Sequence, residues 1–170
     1  MSTLDQLYQQ VILDHHREKH GHGLRDITRP GHADDVALGE SRQYNPLCGD
    51  EITLRVALTG TGQTATITVA DVSWDGDGCA VSQASASMLH DLLTGVSLTE
   101  AEEVVAAFRS MIRSRGKDDG DPELLGDATA LHGVGKHANR VKCAMLGWTA
   151  FEAAVLAART ARSAQNGDES

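Results

Sequence analysis

Hydrophobic positions along this chain repeat with two different periods. Over residues 4 to 17, Leu4, Leu7, Tyr8, Val11, Ile12 and His15 recur three and four apart, which predicts an amphipathic helix. From 51 to 58, EITLRVAL alternates, with Ile52, Leu54, Val56 and Leu58 on one face. After the turn TGTGQ, TATITVADVSW alternates again, and two such runs about a glycine-containing turn predict an antiparallel hairpin. DGDG at 75–78 reads as the next turn. It opens CAVSQASASMLHDLLTG, a helix of small residues that ends at Gly95 and can approach a neighbour closely. A further helix is predicted in EAEEVVAAFRSMIRSRG, with Thr99 and Glu102 as its capping box. Residues 116 to 127 read as an acidic loop, ATALHG as a short helix, and Asn139 to about Arg162 as the last helix.

Strands precede most of the helices, so the expected class is α+β: a small antiparallel sheet of about three strands with helices packed on one face. The third strand is expected near residues 35 to 45, which are weakly patterned. One domain over 1–162 and a disordered tail over 163–170 complete the expectation.

A length of 170 residues suits one domain with a real core, and 41% hydrophobic with 23% charged residues is a globular balance. The net charge of −9 argues against nucleic acid or an anionic membrane as partner, because both need basic surfaces. No uninterrupted apolar run approaches the roughly 20 residues of a membrane span. MSTLDQLYQQVILDHH lacks a basic stretch followed by an apolar one and does not read as a signal peptide, so a cytoplasmic location is expected. His15, His16, His20, His22 and His32 are dense enough for a metal tract. A solvated helix end and loop is the simpler reading. Asp118, Asp119 and Asp121 do not fit a calcium loop, and no phosphate-binding loop, dinucleotide fingerprint or nucleophile elbow is present.

The three cysteines, Cys48, Cys79 and Cys143, are too few and too scattered for a disulfide framework. In Cys48-Gly49-Asp50 a thiolate and a carboxylate two residues apart can converge on one ion. Cys79 stands where a helix begins, which favours its thiolate. Cys143 lies near the start of the last helix beside Lys142 and Arg140, cations that also favour a thiolate. Zinc accepts such thiolates with one carboxylate oxygen. Taken singly, each cysteine is as readily a small buried hydrophobe. Cys143 misses the main stripe of its helix (Val141, Met145, Trp148, Phe151, Val155) but heads a second one through Leu146 and Ala150. Cys48, in its turn, is the hardest to read as core.

NPLCGDEITL, DGCAVSQASASML and RVKCAMLGWTAFEAA together resemble the IscU-like family of iron–sulfur cluster assembly proteins, as LYQQVILDHHR resembles that family's first helix. The resemblance implies an α+β fold in which Cys48, Asp50, Cys79 and Cys143 meet at one exposed metal or cluster site. Scaffold-type members carry a histidine before the third cysteine and a Leu-Pro-Pro-Val-Lys segment. Here Lys142 precedes Cys143, and GKHANRV has no Pro-Pro. The Gly126-Asp127 element and Arg140-Val141-Lys142-Cys143 are instead similar to the SufU-type branch. Relatives in that branch often have proline where this chain has Ala138. That branch implies Zn2+ as cofactor, Cys48 as the acceptor of persulfide sulfur from a cysteine desulfurase of the SufS type, and delivery to downstream cluster-assembly proteins. The alternative it leaves is a scaffold holding a transient iron–sulfur cluster.

Overall fold

The structure, a computed structural model, describes residues 3–25, 36–60 and 62–168, with side chains as far as Arg162. Helix α1 spans Thr3–Glu18, and three antiparallel strands follow: β1 Val36–Asn45, β2 Asp50–Thr59 and β3 Thr68–Asp77. Helices α2 (Ala80–Leu93), α3 (Leu98–Arg113), α4 (Pro122–Leu125) and α5 (Ala138–Asp168) complete the chain, with a 3-10 segment over Gly126–Lys136 between the last two. The sheet order is β1-β2-β3, a meander with the expected α+β layering.

Alternation along β2 has its expected effect. Ile52, Leu54, Val56 and Leu58 are buried, while Thr53 and Arg55 between them are only partly covered. Helix α5 crosses this inner face over β1 and β2. Helix α2 is covered all round: Ser82 to Leu89 are buried without interruption, because its serines and alanines let α1 and α5 close on it from two sides. Ser85 donates to the Ala144 carbonyl at 2.6 Å and accepts from the Trp148 indole N–H at 2.9 Å, so its hydroxyl is satisfied inside the core. Trp148 stacks on Phe108 with centroids 4.0 Å apart. Both are fully buried, and a side chain of that size contributes about 1.5–3 kcal/mol by leaving water.

Several local expectations differ from the structure. DGDG is not a turn: β3 runs on to Asp77, with Gly76 opposite Ile52 and Asp77 opposite Glu51. Helix α3 is capped by Ser97, whose hydroxyl accepts the Glu100 N–H at 3.1 Å, while Thr99 pairs with Thr64 instead. ATALHG forms part of the 3-10 segment and not an α-helix. Helix α5 continues to Asp168 where a disordered tail from 163 is expected; alanines at 157, 158, 161 and 164 favour helix there. Ala138–Arg162 is also long and apolar enough to cross a membrane, with mean hydropathy 1.4, although no single apolar run suggests it. The fold buries 61% of that window, so this is the core helix.

Candidate metal and sulfur site

The β1–β2 connection is built by Asn45. Its carbonyl accepts the Gly49 N–H at 2.8 Å, and its side-chain oxygen accepts the Leu47 N–H at 3.1 Å. Gly49 takes φ +73, which a side chain would resist, and this reverses the chain between Cys48 and Asp50. Cys48, Pro46 and Leu47 are exposed, whereas Asp50, the first residue of β2, is buried. The Asn45 amide nitrogen lies 4.0 Å from the Cys143 sulfur. Asn45 was not singled out by the sequence; its one signal is the Asn-Pro dipeptide, which marks turns.

Cys79 is the N-cap of α2, and its thiol makes no capping bond. Its backbone N–H donates to Asp50 Oδ1 at 3.1 Å. That approach requires Gly78: a Cβ there would stand 2.3 Å from Ser82 Oγ and 3.2 Å from Asp50 Cγ. Cys143, in the second turn of α5, is 4% exposed. Its sulfur lies 3.2 Å from that of Cys48 and 3.6 Å from the Asn139 carbonyl oxygen.

One ligand atom from each of Cys48, Asp50 and Cys143 lies within 4.8 Å of the others. Cys79 stands outside this set of mutual distances but reaches Asp50 through its backbone amide. The structure thus brings Cys48, Asp50 and Cys143 together in one corner, where the β1–β2 turn and the start of α5 converge, and Cys79 at the start of α2 adjoins it through its amide.

The electrostatics fit a cation. Burial raises the Asp50 carboxyl, but the thiols of Cys143, Cys79 and Cys48 and the Cys79 amide outweigh it, so the net direction is down. Burial first, then the Cys48 thiol and Asp50, push the Cys143 thiol far above its ordinary range. This differs from the expectation that Lys142 and Arg140 favour its thiolate. Those side chains are exposed, while the sulfur faces inward to a carboxylate and another thiol. Asp50 Oδ2 is buried with no hydrogen-bond partner. A buried orphan carboxylate oxygen beside crowded thiols is a donor set that a soft divalent ion satisfies.

The histidine-rich stretch is solvated only in part: His22 is exposed and His20 partly covered, but His15 is buried. His15 is 4% exposed, between Ser87 Oγ at 2.7 Å and Asp127 Oδ2 at 2.9 Å. The His20 ring bridges Asp91 and Glu18, each at 2.7 Å, and its backbone N–H donates to Ser87 Oγ. These contacts clasp α1 to α2 and the 3-10 segment, and they give the Gly126-Asp127 element a role. His15, His20 and Asp91 are close enough to hold a metal, but every ring nitrogen of the two histidines already has a partner. His22 bonds Asp75 at 3.1 Å, and His32 lies outside the described residues.

A three-stranded meander, a helical layer and a cysteine–aspartate corner define a class of cluster-assembly protein. The NifU-like N-terminal domain matches residues 7–163. The chain belongs to that family, which here includes the iron–sulfur cluster assembly proteins SufU and IscU. It is 36% identical over 154 residues to the zinc-dependent sulfurtransferase SufU of Bacillus subtilis (strain 168), covering 91% of this chain and 92% of that one. It is 34% identical over 155 residues to the iron–sulfur cluster assembly scaffold protein IscU of Streptococcus pyogenes serotype M1, covering 91% and 86%. A solved structure described as a scaffold protein for the SUF system, from Fervidobacterium islandicum AW-1, superposes with a TM-score of 0.59 at 28% identity, covering 88% of this chain and 96% of that one.

Proposed function

We propose that this chain is a zinc-dependent sulfur acceptor, taking persulfide sulfur from a cysteine desulfurase and relaying it to iron–sulfur cluster assembly. The observation that carries this reading is the contrast within one corner. Cys48 is exposed on a glycine-hinged turn, and its sulfur rests 3.2 Å from the buried Cys143, beside the orphan oxygen of Asp50. Cys48, Asp50, Cys79 and Cys143 would hold the ion. Bound zinc would supply the positive charge that keeps the thiols deprotonated at neutral pH.

The remaining chemistry belongs to the chain. Asp50 and Cys143 are held by packing and stay in place. Cys48 stands exposed on its turn, where a donor can reach it. Its thiolate attacks the outer sulfur of the donor's persulfide. A new S–S bond forms on Cys48 as the donor's S–S bond breaks, and the electron pair leaves on the donor cysteine's thiolate. Cys48 is left as a persulfide, with no net oxidation. After mixing with desulfurase and cysteine, an adduct of about 32 Da should map to Cys48, and Cys48→Ser should accept none. An adduct found only on Cys79 or Cys143 would overturn the acceptor assignment.

The likeness to IscU favours a second reading, a scaffold that holds a transient cluster. Three thiolates and one carboxylate would hold a cluster more loosely than four thiolates. Anaerobic incubation with iron, cysteine and desulfurase separates the two. A bound visible-absorbing cluster that displaces zinc supports the scaffold, and retained zinc with a Cys48 persulfide supports sulfur transfer.

A further inference from the structure

Between the C-terminal end of α3 and the start of α5 is a hollow of about 580 Å³, lined by Arg113, Arg115, Lys136 and Lys142 over Ile112 and Val141. No acidic side chain lines it, although the chain carries a net charge of −9. Among the described residues none of these four cations is in an ion pair, whereas Arg25, Arg42, Arg55 and Arg109 are each paired with a carboxylate. Four cations around one concavity with no counter-charge repel one another and concentrate anions there. Arg115 also sits at φ +58, in the left-handed region where a helix C-terminus ordinarily places glycine.

The basic surface reaches the thiol corner. Lys142 precedes Cys143 and also lines a second hollow with Pro46 and Leu47, on the loop that carries Cys48. All four cations are exposed and spread around an apolar floor. A small anion is usually held by converging, desolvated donors. Dispersed, hydrated cations suit an extended segment bearing several carboxylates.

We infer that this hollow docks an acidic, carboxylate-rich segment of the sulfur-donating desulfurase, and so sets the donor's persulfide beside Cys48. This deepens the sulfur-transfer reading and rests on it. The test uses Arg113→Gln/Arg115→Asn/Lys136→Gln, in which asparagine tolerates the left-handed backbone and the cysteine–aspartate corner is untouched. Activation of a SufS-type desulfurase and persulfidation of Cys48 are measured against protein concentration. The half-saturating concentration should rise on the order of tenfold, with the plateau rate, zinc content and melting temperature unchanged. Added salt should weaken the wild type much more than the variant. Hexaglutamate should compete with the desulfurase for the wild type only. Equal half-saturation for variant and wild type would place docking elsewhere and leave sulfur transfer standing. If inorganic phosphate binds the hollow while hexaglutamate does not compete, it is a small-anion site and the inference falls. If the wild type itself neither activates the desulfurase nor accepts sulfur, both readings fall together.

Discussion

The sulfurs of Cys48 and Cys143 lie 3.2 Å apart although 95 residues separate them in the chain. One belongs to an exposed turn and the other to the buried side of the longest helix, so the pair joins an accessible thiol to a buried one. Two thiols this close, with one free to adjust, can form a disulfide after a small movement. Chelator-treated protein exposed to oxidised glutathione should yield a Cys48–Cys143 disulfide with Cys79 left free. Zinc-loaded protein should resist. Peptide mapping reads the result, and a disulfide involving Cys79 would contradict the arrangement.

Metal stoichiometry checks the corner as a whole. Purified without chelator, the protein should carry about one zinc per chain. Cys79→Ala and Cys143→Ala should each lose most of it and melt at lower temperature, because metal binding is coupled to folding. Asp50→Ala should release zinc faster to a chelator, and Asp50→Cys more slowly, by adding a soft donor. Wild-type exchange rates in both Asp50 variants would show that the buried oxygen is not a ligand.

The two site glycines should behave differently. Gly78→Ala forces a Cβ to within 3.2 Å of Asp50 Cγ and should weaken zinc retention while leaving most of the fold's stability. Gly49→Ala meets no atom within 4 Å but must hold φ +73, so it should cost about 1 kcal/mol of stability, whereas Gly49→Asn should cost less. Chelator-release rates and denaturation midpoints distinguish the two effects.

The helix clasp should be sensitive to one hydroxyl. Ser87→Ala removes a partner from both the His15 ring and the His20 backbone N–H in a buried setting. It should cost about 1–3 kcal/mol. Each kcal/mol should lower the melting temperature by roughly 2–4 °C in a chain of this size. An unchanged melting temperature would mean that the Ser87 hydroxyl does not hold α1 in place.

His20 links the clasp to pH. The Asp91 hydrogen bond, with help from Glu18, outweighs burial and raises its pKa above 6.5. A raised folded value means that its stabilisation is fully present below the unfolded pKa and is lost as pH rises through the folded one. The His20 side chain is 36% exposed, so solvent screening keeps the effect below about 1 kcal/mol. Wild type should therefore exceed His20→Gln in stability more at about pH 6 than at about pH 8.5, as read by denaturant midpoints. A gap that widens with pH would reverse the assigned sign.

By itself the sequence determined most of the elements and singled out the candidate site residues. The alternation of Ile52, Leu54, Val56 and Leu58 requires a one-sided sheet, because period two puts every apolar side chain on one face. A cysteine between proline and glycine with aspartate two places on fills no apolar stripe, so Cys48 and Asp50 were legible as chemistry. Tertiary structure alone decided what depends on distant neighbours. Pairing with β2 extends β3 to Asp77, into DGDG, since a strand's partner supplies hydrogen bonds that outweigh local turn preference. Burial of His15 against Ser87 and Asp127 turns a stretch that reads as solvated into a clasp. Burial and the neighbouring Cys48 and Asp50 decide the direction at Cys143, not Lys142 and Arg140. Adjacency in sequence does not set the distance between a charge and a sulfur; the face of the helix on which each lies does, and packing chose that face.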